Sequence, residues 1–171
     1  MFFLWSKIKF ISLKRRVKKH NPEVTFGGFS TIEFENKLKT NGTVYIGPGA
    51  FWSLKGGLSL GNNVIFGPKT SIWTYNHDYK SDLSIPYGGS DILKEVIIED
   101  NCWIGYGTII LPGTIIREGS VIAAGSVVNG EIPKRSLVMG NPSNVIKKLD
   151  EESYEELKKK KKFYLNLKNK K

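Results

Sequence analysis

A spacing of six residues governs the second half of this chain. Ile98, Ile104, Ile110, Ile116, Ile122 and Val128 follow one another without a slip, and neither a helix nor an ordinary strand has this period. Two residues before each stands a small or β-branched one: Val96, Cys102, Thr108, Thr114, Ser120 and Ser126. Residues two apart on a short strand face the same side, so each hexad supplies one small and one large inward side chain. The pattern runs backwards with less discipline through Val44/Ile46 and Ala50/Trp52, then, after a two-residue insertion, Leu58/Leu60, Val64/Phe66 and Thr70/Ile72. Gly47, Gly61, Gly67 and Gly105 directly follow the large inward residue, where a corner is expected to need a permissive backbone, and Pro48, Pro68 and Pro112 suit neighbouring turn positions. Three short strands per turn make a triangular coil with rungs stacked in parallel, an all-β hexapeptide β-helix.

The rhythm divides the chain into a basic and apolar N-terminal cap segment (1–39), the β-helix (40–149) and a C-terminal helix with a lysine-rich tail (150–171). Between Ile72 and Val96 the six-residue rhythm is lost, and residues 73–91 read as a loop inserted into the coil. Insertions in repeat scaffolds sit on the outside and carry function. This loop contains His77, one of two histidines in the chain. An imidazole takes a proton near neutral pH without prior tuning, and a nearby carboxylate fixes its tautomer. Asp78, Asp82 and Asp91 are all within reach in sequence, and the residues alone do not choose among them. Cys102 occupies a small inward slot, which argues for core packing and against a nucleophile. Trp103 lies between two inward positions and must point outward, where a ligand or a neighbouring subunit would cover it. Trp52 and Phe66 fall at large inward positions and read as core.

The formal net charge of the 171 residues is +10, but its location removes the obvious reading. Residues 1–20 hold seven basic residues and 147–171 hold ten, all lysines, whereas residues 21–146 carry nine basic and 11 acidic residues. A nucleic-acid reader would place its cations on the folded body, so no nucleic-acid partner is expected. The single cysteine precludes an intrachain disulfide, Lys7 and Lys9 interrupt the first apolar run, and two histidines with one inward cysteine offer no metal cluster. A cytoplasmic location is the default expectation. The N-terminal stretch mixes Phe2, Phe3, Leu4, Trp5, Ile8, Phe10 and Ile11 with lysines, and its apolar residues do not share one narrow helical face. It is expected to cap the first coil; the alternative is contact with an anionic membrane surface. The run Lys158 to Lys162 reads as a solvated charge run.

The segment from Cys102 to Leu149, CWIGYGTIILPGTIIREGSVIAAGSVVNGEIPKRSLVMGNPSNVIKKL, resembles the C-terminal half of hexapeptide-repeat acetyltransferases, with Gly140-Asn141-Pro142 followed by Val145-Ile146-Lys147 as its most specific part. The resemblance is strongest to maltose, galactoside and surface-polysaccharide O-acetyltransferases and spans about residues 40 to 149. It implies a left-handed coil, acetyl-coenzyme A as co-substrate without a metal, and a homotrimer with sites between subunits. It implies His77 as general base and an acceptor held by the loop, with Asn76, Asp78, Tyr79 and Asp82 as contacts. Coenzyme A is implied along the outside of the coil at Trp103, Gly105, Tyr106, Ala124, Gly140, Pro142 and Lys147. Arg117, Ala123, Asn129-Gly130-Glu131 and Asn144 depart from the usual repeat, while Lys134, Arg135, Lys147 and Lys148 offer charge for the coenzyme phosphates. The expected function is transfer of an acetyl group to a sugar hydroxyl in surface-polysaccharide biosynthesis, with any membrane contact made through the basic ends. The alternatives are N-acetylation of an amino-sugar or xenobiotic, and a non-catalytic β-helix scaffold.

Overall fold

The structure, a computed structural model, describes the backbone of residues 2–168 and the side chains of residues 6–166. Phe2, Phe3, Leu4 and Trp5, and the lysines from Lys168 onward, lie outside the described side chains. A helix α1 (Phe2–His20) precedes five complete three-stranded coils. These are β1 (Val24–Phe26), β2 (Thr31–Glu33) and β3 (Leu38–Thr40); β4 (Val44–Ile46), β5 (Phe51–Ser53) and β6 (Leu58–Leu60); and β7 (Val64–Phe66) and β8 (Ser71–Trp73), closed after the inserted loop by β11 (Val96–Ile98). The last two are β12 (Trp103–Ile104), β13 (Ile109–Ile110) and β14 (Ile115–Ile116), then β15 (Val121–Ile122), β16 (Val127–Val128) and β17 (Glu131–Ile132). Strand β18 (Ser136–Gly140) begins a sixth coil, and β19 (Ser143–Lys148) turns back antiparallel upon it. The strands stack into three faces in the order β1-β4-β7-β12-β15-β18-β19, β2-β5-β8-β13-β16 and β3-β6-β11-β14-β17, called here the first, second and third faces. This is the left-handed parallel β-helix that the repeat and the resemblance together predict.

Every large inward residue named from the repeat is buried: Ile46, Trp52, Phe66, Ile72, Ile104, Ile110, Ile116, Ile122 and Val128 are fully so. Each such side chain contributes about 1.5–3 kcal/mol of transfer free energy, which is why the column of isoleucines dictates the stacking register. The hydroxyls of the small column are also buried, and each is paired. Thr108, Thr114 and Ser126 donate to the carbonyls of Gly105, Leu111 and Ala123 at 2.9, 2.7 and 2.8 Å. A short hydroxyl there finds its acceptor in the corner carbonyl three residues back, so it is buried without going unpaired.

Two readings of the coil need correction. The glycines after the large inward residue are not there for an unusual backbone angle. A Cβ at Gly105 would lie 2.6 Å from the Ala124 amide nitrogen and 2.7 Å from the Ile122 carbonyl; at Gly47 it would lie 2.5 Å from the backbone of Gly67. Stacked corners approach backbone to backbone, and the left-handed conformation falls two residues later, at Gly49 (φ +77°) and Gly107 (φ +64°). The coil also starts before residue 40: β1 pairs with β4 through Val24↔Val44 and Phe26↔Ile46. Phe26, Ile32, Ile46 and Trp52 keep the spacing, but Thr40 stands in a large inward slot opposite Leu60, and a two-residue insertion recurs before it. Together these hid the first coil.

Helix α1 packs on that coil through Leu13 and Val17, which are buried, and Phe10, whose ring meets those of Phe26 and Phe29 at 5.6 and 5.1 Å. It ends before Asn21-Pro22, where the proline disfavours a helical residue ahead of it, and the Asn21 side chain donates to the Leu38 carbonyl at 3.3 Å. At the other end α2 (Glu151–Lys159) is capped by Asp150, whose carboxylate accepts from the Ser153 amide at 2.8 Å. It lies against the corner between the third and first faces. The Tyr154 hydroxyl bridges Asn101 (2.9 Å) and Glu118 (3.0 Å), Lys158 pairs with Glu118, and Arg135 reaches Glu151 at 2.5 Å. The lysine run is therefore partly engaged: Lys160 also pairs with Glu156, and a short α3 (Tyr164–Lys168) follows with Leu165 buried.

Candidate active site

The inserted loop leaves the coil where the second face ends and returns at the third. Its base is a two-residue antiparallel ladder, β9 (Tyr75–Asn76) with β10 (Ile92–Leu93), which sequence periodicity did not reveal. The ladder places His77 and Asp91 side by side just beyond the last paired residues. His77 Nδ1 lies 2.8 Å from Asp91 Oδ1. The other carboxylate oxygen of Asp91 accepts from Lys55 Nζ at 2.6 Å. Hydrogen bonds from Lys55 and then His77 hold the Asp91 carboxyl below its ordinary range. An ionised Asp91 can only accept, so Nδ1 donates to it, and in the neutral imidazole Nε2 is then the nitrogen with the lone pair. The Tyr87 ring stacks on the imidazole at 4.2 Å and 10°, Tyr75 meets it edge-on at 6.2 Å, and the side chain remains half exposed. The arrangement fixes the ring and leaves its free nitrogen accessible.

Of the three carboxylates within sequence reach, the fold selects Asp91. Asp78 is used by the loop itself: its carboxylate accepts from the Lys80 amide at 3.1 Å and its carbonyl from the Gly88 amide at 3.1 Å. Asp82 and Tyr79 are exposed on the loop, the latter under Lys80, and Asn76 accepts the His77 amide at 2.9 Å. Lys55 and Tyr87 were not legible as site residues. Lys55 belongs to the two-residue insertion of the second coil, directly beneath the point where the third coil opens; the Gly56 amide there donates to Thr74 at 2.8 Å. Aligning the coils exposes that neighbourhood, since 20 residues of sequence amount to one rung of height in this part of the coil, as in Phe51↔Ser71.

The residues implied for coenzyme A gather elsewhere. Trp103 points outward from the first face in a column with Ile65 and Val121 and is 54% exposed. Lys147 stands on the same face opposite Leu137. Gly105 and Tyr106, then Ala124, then Gly140 occupy successive levels of the corner between the first and second faces, tied by the bonds Gly105 N–H to Ile122 O (2.8 Å) and Gly125 N–H to Tyr106 O (2.8 Å). Pro142 follows in the turn into β19, and Lys69 covers the Tyr106 ring. This corner and the His77 loop border opposite edges of the second face. One chain therefore brings the seven residues together with each other but not with His77. Arg135 and Lys148 do not extend the row: Arg135 holds α2, and Lys148 donates to the Lys134 carbonyl at 3.0 Å. Cys102 is buried and its thiol is pushed up to about 12, as expected for a core residue.

Residues 95–130 match the model of the bacterial transferase hexapeptide, six repeats, over the rungs from β11 to the corner before β17. That stretch carries the hexapeptide repeat. Galactoside O-acetyltransferase of Lactococcus lactis is 38% identical over 95 residues, which is 56% of this chain and 45% of that protein. The chain spans less than half the length of the curated relatives it matches. Among solved structures, a maltose O-acetyltransferase of Clostridium difficile is 27% identical, with a TM-score of 0.64 over 81% of this chain and 75% of that one. A hexapeptide-repeat-containing acetyltransferase of Vibrio cholerae, complexed with acetyl-coenzyme A, is also 27% identical, with a TM-score of 0.65 over 82% and 78%. Within the hexapeptide repeat the departures have local reasons. Arg117 bridges Glu99 and Glu131 from adjacent coils at 2.8 Å each, and Asn144 donates to the Pro142 carbonyl at 3.2 Å.

Proposed function

We propose that this protein is an acetyl-coenzyme A-dependent O-acetyltransferase acting on a sugar hydroxyl, in the synthesis of a surface polysaccharide. The observation that carries the reading is the oriented imidazole of His77, with Nδ1 held by Asp91 and Nε2 free on an accessible loop. The names of the relatives support the donor and the acceptor class. In the reaction His77 Nε2 removes the acceptor hydroxyl proton as the oxygen attacks the thioester carbonyl. A backbone N–H of the coil steadies the oxyanion, the carbon–sulfur bond breaks, and the imidazolium returns its proton to the departing thiolate. Asp91 stabilises the imidazolium formed in between, and Lys55 keeps Asp91 in place. No covalent acetyl-enzyme is required. The coenzyme row and His77 flank opposite edges of one face, so the complete site is formed by a homotrimer in which one subunit brings the base to a neighbour's coenzyme. Exposed Trp103, Ile85 and Leu83 are suited to cover by that neighbour.

The test is thiol release from acetyl-coenzyme A with a panel of mono- and oligosaccharides and amino-sugars, wild type against His77→Ala. The substitution is expected to lower turnover by about 10²- to 10⁴-fold in a protein that stays folded. Preference for an amino-sugar would make nitrogen the acceptor atom. Failure to bind coenzyme A in calorimetry would leave the coil as a scaffold.

A further inference from the structure

We propose that α1 docks this protein on an anionic phospholipid surface through the side turned away from the coil. The cap uses one stripe of the helix, Phe10, Leu13 and Val17 at spacings of three and four, and Leu13 and Val17 are 5% and 1% exposed. A helix that only capped would be polar on its other side. Instead Ile8 and Ile11 point out, 56% and 50% exposed. The described apolar residues of α1 thus form two stripes and share no single face.

Moving one turn on from Ile11, the outward side becomes cationic: Arg15 and Lys18 continue the same stripe, flanked by Lys14 and Lys19. Helix α1 contains no acidic residue, and the first carboxylate side chain of the sequence is Glu23. Arg16 is excluded from this set because it pairs with Glu35. Beside the helix a groove of about 910 Å³ opens against the second face, where Ile8, Phe10, Phe29 and Phe51 alternate with the polar Lys9 and Arg16. An interfacial helix buries its apolar side about 5–10 Å into the headgroup boundary while cations meet lipid phosphates. Along this stripe the order is apolar first and basic second, which lets Ile8 and Ile11 enter while Arg15 and Lys18 stay at the phosphates. A nucleic-acid backbone would answer the cations but leave Ile8 and Ile11 in water.

Co-sedimentation of the full chain with vesicles of phosphatidylcholine alone, and of phosphatidylcholine mixed with phosphatidylglycerol, tests this without reference to catalysis. Binding to the mixed vesicles is expected to exceed that to phosphatidylcholine by at least about tenfold and to weaken with salt. Arg15→Gln with Lys18→Gln should reduce it by about 25-fold, at roughly fivefold per cation. Ile8→Asp with Ile11→Asp should reduce it by at least about tenfold, and an unchanged melting temperature shows that both outward pairs leave the fold intact. Equal sedimentation with both vesicle types, or none, overturns the proposal. So does binding that survives the isoleucine changes while duplex DNA competes for the same cations.

Discussion

At His77 the proposed chemistry depends on which imidazole nitrogen is free, and that is decided by Asp91, 2.8 Å away in space and 14 residues away in sequence. Lys55 sets the condition of Asp91 in turn. Because the carboxyl is held below its ordinary range, its contribution to the loop is complete above the usual carboxylate value and is lost as pH falls through the lowered one. Lys55→Met removes the main cause of that lowering. The carboxyl titration of Asp91, followed by ¹³C resonance, is expected to move toward higher pH, and thiol release to fail at a correspondingly higher pH on the acid side. An unmoved titration would show that Lys55 has no hold on the dyad. That His77 stands on the inserted loop was legible from the sequence, because the break in rhythm isolates one histidine there; its role as base is the proposal made above. The choice of Asp91 over Asp78 and Asp82 was not, since it depends on a hairpin ladder only two residues long.

Among the elements, the corners decide how tightly the coils stack. Gly105 and Gly107 stand two residues apart and do different work. Alanine at Gly105 would press its Cβ into the backbone of the next coil, whereas alanine at Gly107 meets nothing within 4 Å and suffers only its positive φ. Chemical denaturation should therefore show a loss of about 1 kcal/mol for Gly107→Ala and about 3 kcal/mol for Gly105→Ala. Equal losses would return the explanation to backbone angles. At the far end, Glu118 ties α2 to the coil. Burial acts to raise its carboxyl, but Lys158 and Tyr154 outweigh that and hold it below the ordinary value. That tie is present above the usual glutamate range and is lost as pH falls through the lowered value. Hydrogen exchange is expected to show α2 opening in acid before the coil does, and Glu118→Gln should cost about 1.5–3 kcal/mol at neutral pH.

The whole molecule is a stack in which sequence distance and spatial distance are nearly unrelated: Lys55 and Asp91 are partners because they sit on adjacent rungs. The separation of His77 from the coenzyme row predicts that activity requires assembly. Light scattering should give three times the mass of the chain, and dilution that dissociates the trimer should abolish thiol release before the coil unfolds; an active monomer would refute the shared site. By itself the sequence determined the coil, its register and its core, because a strict period of six leaves only one way to bury a column of isoleucines, and it marked the inserted loop that carries His77. The tertiary structure alone decided which carboxylate serves His77, that Arg135 anchors α2, that a first coil begins at Val24, and that the apolar residues of α1 point two ways. Each of these rests on contacts between rungs or across a corner, where neighbours in space are about 14 to 40 residues apart in sequence and no local pattern records them.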